Sequence, residues 1–157
     1  IQQPEFRGMG TTLVAALVQG ENAVLVNVGD SRAYLVRDGE ARQLTEDHSY
    51  VQEMVRKGKI TPEQSRNHPH KNLITRAVGV DTFVDSDLFD YTLREDDVLL
   101  LCSDGLTGMV EDSKIAQIIG DAATLEQAAG ELIVSACENG GTDNITVVLF
   151  RRGSSAE

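Results

Sequence analysis

Asp97-Val98-Leu99-Leu100-Leu101-Cys102-Ser103-Asp104-Gly105-Leu106 is an apolar run that stops at a serine, an aspartate and a glycine. A Leu- and Val-rich run bounded by turn residues reads as a buried strand, and it holds its terminal carboxylate at a rigid tip. Two further segments repeat the arrangement. Asn27-Val28-Gly29-Asp30-Ser31-Arg32 closes the run Asn22 to Val28, and Gly140-Gly141-Thr142-Asp143-Asn144-Ile145 leads into the run Ile145 to Phe150. If the strand entering Asp104 and the strand leaving Asp143 are antiparallel neighbours, the end of one lies beside the start of the other. Asp104 and Asp143 then meet at one edge of a sheet, and Asp30 can join them. Carboxylates brought together repel, so the cluster is stable only with bound cations or protons. An all-oxygen set selects hard ions such as Mg2+ and Mn2+. The reading is a carboxylate-built metal centre, and with it metal-assisted hydrolysis or phosphoryl chemistry.

The rest of the chain fits an α+β domain. Thr11 to Val18 and Asn22 to Val28 are β-rich runs joined by a hairpin at Gly20-Glu21-Asn22. Arg32 to Arg37 and Glu40 to Leu44 flank Asp38-Gly39, the strongest short hairpin signal. This opening reads as an antiparallel meander. Ser49-x-x-Gln52 and Thr61-Pro62-Glu63-Gln64 are helix starts, with Gly58 as a C-cap. They make Asp47 to Asn72 two short helices forming a flap over one end of the sheet. Leu73 to Val78, Val84 to Leu93 and Asp97 to Cys102 are further strands. Asp112 to Ile119 and Thr124 to Glu138 are amphipathic helices. The expected layout is one domain over 1–150 and a disordered tail over 151–157.

Composition narrows the function classes. The chain has 157 residues and a net charge of −11, and an acidic surface repels phosphate backbones, so nucleic-acid binding is not expected. No apolar stretch approaches the roughly 20 residues that span a bilayer, so this segment is not expected to contact a membrane. Cys102 and Cys137 form no C-x-x-C pair and read as small buried hydrophobes, which suits a reducing cytoplasm. A cysteine-based phosphatase needs an Arg six residues after its Cys, and position 108 is Gly. No Gly-x-x-x-x-Gly-Lys loop is present for nucleotide hydrolysis. His48 reads as a helix-start residue packing the base of the flap rather than a general acid. His68 and His70 read as exposed loop histidines.

Each aspartate motif alone is no more than a turn or a helix cap. Together with other segments they resemble the bacterial metal-dependent serine/threonine protein phosphatases of the type 2C family. The segments are Gly8-Met9-Gly10-Thr11-Thr12, Val28-Gly29-Asp30-Ser31-Arg32, Leu44-Thr45-x-Asp47-His48-Ser49, Leu73-Ile74-Thr75-Arg76-Ala77-Val78-Gly79, Ser103-Asp104-Gly105-Leu106 and Gly140-Gly141-x-Asp143-Asn144-Ile145-Thr146-Val147. The resemblance implies two packed antiparallel β-sheets flanked by helices, an α-β-β-α sandwich here incomplete at its N-terminus. It implies a dinuclear Mn2+ or Mg2+ centre held in part by Asp104 and Asp143, and a third ion held by Asp30. The implied substrates are phosphoserine and phosphothreonine in proteins, modified by a serine/threonine kinase.

The sequence departs from that pattern in one respect. The family's Asp-Gly-x-Gly motif, its phosphate-binding Arg and its candidate acid His have no counterpart here. Truncation explains the gap better than divergence, and the expectation is a fragment inactive by itself. The alternative is a naturally shortened pseudophosphatase acting as a phosphoprotein-binding or regulatory module.

Overall fold

The computed structural model describes Glu5 and residues 8–153. Its elements, in chain order, are β1 (Leu13–Gln19), β2 (Asn22–Val28), β3 (Arg32–Arg37), β4 (Glu40–Gln43), α1 (Tyr50–Arg56), α2 (Pro62–Arg66), β5 (Asp87–Thr92), β6 (Val98–Cys102), α3 (Asp104–Thr107), α4 (Asp112–Asp121), α5 (Leu125–Glu138) and β7 (Val147–Arg151). Two antiparallel sheets result, ordered β1-β2-β5 and β4-β3-β6-β7.

The packing follows from strand alternation. Ala33, Leu35 and Leu99 point from the larger sheet toward Ala23 and Leu25 of the smaller one, giving an inter-sheet core. Tyr34, Val36, Val98, Leu100 and Cys102 point the other way. They are covered by Ile115, Ile118 and Ile119 of α4 and by Ala128, Leu132 and Ala136 of α5. Sheet, sheet and helices thus form three layers. Leu13, Leu17, Val24 and Leu88 remain exposed on the smaller sheet.

Local signals act as the sequence indicates. Ser49 caps α1 by accepting from Gln52 N–H, and Thr61 and Gln64 form a reciprocal capping box on α2. Gly58, at φ +66°, donates to Val55 O while Lys59 donates to Met54 O, which closes α1.

Four expectations are corrected. The opening is not a single meander: β1–β2 and β3–β4 are hairpins, but they lie in different sheets, and residues 29–31 cross between them. The run Leu73 to Val78 is not a strand. Among the described residues its ladder contacts are single bridges, Ile74 to Ser49 and Val78 to Thr11, because these neighbours are loops. Cys137 is exposed, since the inward stripe of α5 runs through Ala128, Leu132 and Ala136 instead. Residues 151 and 152, expected in the tail, are ordered. β7 includes Arg151, and Arg152 N–H donates to Asp97 O while its guanidinium donates to Leu93 O. Residues 154–157 lie outside the described residues. Among the described residues no helix is long and apolar enough to cross a membrane.

Candidate metal centre

The sheet register brings the three aspartate motifs to one end of the larger sheet. Cys102 of β6 pairs with Val147 of β7 on one side and with Arg32 of β3 on the other. The chain leaving β6, the chain entering β7 and the chain entering β3 therefore meet. This is the antiparallel adjacency expected from the order of the apolar runs.

Each aspartate is fixed by its flanking residues. Ser103 Oγ donates to Asn144 O at 3.0 Å and accepts from Thr146 N–H at 3.0 Å, which stitches the Asp104 turn to the Asp143 segment. The helix α3, not anticipated from the sequence, starts at Asp104. Behind Asp143, Gly140 and Gly141 close α5 by donating to Cys137 O and Ala136 O. Their φ values of +127° and +51° are left-handed conformations that glycine adopts without strain. Asp143 Oδ1 accepts from Asn144 N–H at 2.7 Å. Asp30 lies in the sheet crossing, where Ser31 shares a hydroxyl hydrogen bond with Thr12 at 2.9 Å. Next to it Arg32 grips Asp47 with two nitrogens, at 2.8 and 2.7 Å.

Asp30, Asp104 and Asp143 line one cavity of about 370 Å3, together with Arg32, Asp47, Arg66 and Lys71. Arg66 of α2 reaches across it to Glu111 beside α4. Burial raises the Asp30 carboxyl, the Asp104 and Asp47 carboxylates raise it further, and it is pushed up to about 6. Burial and then the Asp143 charge hold Asp104 above the ordinary carboxylate range. Both groups are ones that a cation would relieve. Among the described residues, however, no three acidic, histidine or cysteine side chains are grouped to hold an ion. The oxygens present fit part of a hard-ion donor set.

The remaining candidates fall outside the carboxylate cluster. Burial pushes the Cys102 thiol up to about 12, which suits a packing residue and not a nucleophile. His48 is buried beneath the flap root. The His68 and His70 rings sit 5.7 Å apart against Tyr50, and His68 Nδ1 accepts from His70 N–H. Sequence pattern alone assigns the Arg32–Asp47 pair no role. Its signal is the placement of Arg32 and Tyr34 two residues apart on one strand face, where the Tyr34 hydroxyl accepts from the same guanidinium at 3.0 Å.

A family model described as protein phosphatase 2C matches residues 1–133. The serine/threonine phosphatase stp of Listeria monocytogenes strain EGD-e is 48% identical over 148 residues, covering 94% of this chain and 59% of that protein. The serine/threonine protein phosphatase PstP of Mycobacterium tuberculosis H37Rv is 44% identical over 147 residues, covering 94% of this chain and 28% of that protein. The crystal structure of Stp1 from Staphylococcus aureus superposes with a TM-score of 0.93 at 42% identity, covering 98% of this chain and 60% of that one. The catalytic domain of PstP, solved in complex with two manganese ions, superposes at 0.84 with 42% identity, covering 94% and 61%. The chain belongs to the protein phosphatase 2C family, and it spans less than two thirds of the length of these relatives.

Proposed function

We propose that residues 1–157 are the C-terminal part of a metal-dependent serine/threonine protein phosphatase, acting on phosphoserine and phosphothreonine placed in proteins by a kinase. The observation that carries this is the convergence of Asp30, Asp104 and Asp143 on one cavity, where burial and mutual repulsion push Asp30 and Asp104 toward protonation. Hard oxygen donors under that repulsion fit Mn2+ or Mg2+. Asp104 and Asp143 would hold the paired ions, and Asp30 a further one. When bound, such ions supply a hydroxide at neutral pH and neutralise the phosphoryl oxygens.

The residues of this chain supply the positioning. The Ser103 bridge keeps Asp104 and Asp143 at a fixed separation. The bidentate hold of Asp47 on Arg32 keeps that guanidinium at the cavity wall. Arg66 and Lys71 give the acidic cavity a cationic side, formed by the flap, which a phosphorylated side chain can face. On this reading residues 1–157 carry only part of the donor set, and these residues alone do not turn over.

In the complete protein, phosphate release from a phosphothreonine peptide should require Mn2+ and stop with chelator. Asp104→Asn or Asp143→Asn should abolish it, while Asp30→Asn should impair it with less loss of tight Mn2+ binding by calorimetry. Metal-independent turnover would sink the reading. So would an Asp30→Asn variant that lost the tightest site while Asp104→Asn kept it. An incomplete donor set also suits a phosphoprotein-binding relative without turnover, and metal-dependent release by the complete protein removes that second reading.

A further inference from the structure

We propose that His48 is a positioning residue for Asp30, clamping the sheet crossing to the flap root through Gly29, the residue that precedes it. The inference rests on the reading of Asp30 as a metal ligand. Both polar backbone atoms of Gly29 end on His48. The Gly29 N–H donates to His48 Nδ1 at 3.1 Å, and Gly29 O accepts from His48 N–H at 2.9 Å. Because Nδ1 accepts, the ring hydrogen sits on Nε2, which faces Asp87 Oδ2 at 3.1 Å. Arg76 Nη1 lies 3.2 Å from the same nitrogen, but two donors do not bond. Its hydrogens go instead to Asp87 Oδ1 at 2.8 Å and Asp85 O at 3.3 Å. The result is a carboxylate–imidazole–backbone relay, the arrangement that orients ligands around metal sites. Here it acts on the backbone of the residue beside the ligand.

The clamp is needed because the crossing cannot fix itself. Gly29 has a φ of +105°, and a Cβ there would lie 2.3 Å from Thr12 Cγ2. A glycine is therefore required, and glycine is the residue least restricted in its own conformation. Asp30 follows it directly, outside any strand ladder. Gly29 O also accepts from Asn27 Nδ2 at 3.3 Å, but His48 alone holds both sides of Gly29, and it is itself buried at 6% exposure and held from behind by Asp87. The His48 carbonyl accepts from Thr75 N–H at 2.8 Å, and Ser49 caps α1. The flap root and the Asp30 turn thus move together.

The test uses the complete protein with His48→Ala, His48→Asn, Asp87→Asn, Asp30→Asn and the His48→Ala/Asp30→Asn double variant. Three quantities are measured: the Mn2+ dependence of phosphate release from a phosphothreonine peptide, the thermal midpoint, and hydrogen exchange at the Gly29 amide. His48→Ala should raise the Mn2+ concentration for half-maximal turnover by roughly tenfold or more and speed Gly29 exchange. His48→Asn, whose Oδ1 can accept the Gly29 N–H, should recover most of both. The double variant should be no worse than Asp30→Asn alone, because the two act through one ligand. A lowered midpoint with unchanged Mn2+ dependence would make His48 merely structural and overturn the proposal. If His48→Ala does not fold, Asp87→Asn decides, since unchanged Mn2+ dependence and Gly29 exchange there also overturn it. If Asp30→Asn itself keeps the wild-type Mn2+ dependence while Gly29 exchange responds to His48, the metal reading of Asp30 is what fails.

Discussion

Replacing Gly105 with alanine should separate the two carboxylates while leaving both in the protein. A methyl group at residue 105 would lie 2.3 Å from the Asn144 carbonyl oxygen and 2.9 Å from its carbon. Non-bonded carbon–oxygen contacts settle at about 3.3 Å or more, so the segments must part by roughly 1 Å. Neither side can yield alone. Gly105 is buried in α3, the obstruction is backbone, and Ser103 ties the same two segments together two residues away. The displacement therefore falls between Asp104, one residue before the methyl, and Asp143, one residue before the carbonyl it strikes. Overpacking of this kind costs about 1–3 kcal/mol of stability. A misplacement of about 1 Å in a catalytic constellation costs about a hundredfold in rate. Gly120→Ala is the control, being helical with nothing within 4 Å of the added carbon. In the complete protein Gly105→Ala should remain folded with a lowered midpoint and lose about two orders of magnitude in kcat, with weakened Mn2+ binding. Gly120→Ala should match or slightly exceed the parent stability. A Gly105→Ala variant with parental kcat and Mn2+ affinity would show that the Asp104–Asp143 spacing is not set here.

The raised carboxyl of Asp30 gives a pH signature without metal. Its folded value of about 6 exceeds the ordinary 3.8, so the folded state binds that proton more tightly than the unfolded chain. The cost of the buried charge is complete above pH 6, declines as pH falls from 6, and is absent below 3.8. In chelator Asp30→Asn should raise the thermal midpoint near about pH 7.5 and change it little near about pH 4, and an equal gain at both would contradict the assignment. Leu132→Ala, at a fully buried position of α5, should lose about 2–5 kcal/mol in denaturant melts without altering Mn2+ dependence; a shifted Mn2+ dependence would show that the helical layer controls the site. Residues 1–157 produced alone should self-associate, because Leu17 and Leu88 are 72% and 68% exposed on the smaller sheet and, among the described residues, β1 leaves a free edge. A monomer of 17.0 kDa with a sharp melt, by size exclusion with light scattering, would contradict this.

What could be read from the sequence was whatever alternation and punctuation encode directly. The run ending at Cys102 reads as a buried strand and is one, while the run Ile145 to Phe150 reads as a strand and forms β7, a half-exposed edge paired antiparallel to it. The capping serine and threonine mark α1 and α2 for the same reason. The sheet crossing at 29–31 was not legible, because a tight chain reversal and a change of sheet share the same Gly-Asp-Ser composition. The run Leu73 to Val78 has strand-like residues, but a strand needs a partner, and partners are set by tertiary context. Exposure at Cys137 depended on which stripe of α5 faces the sheet, and small Ala128 and Ala136 won the inward positions over larger neighbours. At the site, the convergence of Asp30, Asp104 and Asp143 was predictable from strand ends. The roles of Asp47 and His48 were not, since their partners lie 15 and 19 residues away across loops.

The sheet crossing connects these points. A chain that leaves one sheet and enters another loses its ladder bonds at the crossing, and buried peptide groups left unpaired are costly. Gly29 is buried, and both its N–H and its C=O are satisfied by the flap root instead of by a strand. The bonds that make the crossing tolerable are therefore the same bonds that orient Asp30. They also fix where the flap starts, since Ser49, the next residue, caps α1. On this view the flap is attached at the point where the two sheets part. Its root cannot be displaced without disturbing a cavity carboxylate, and any ligand that moves the flap would alter the Asp30 end of the site.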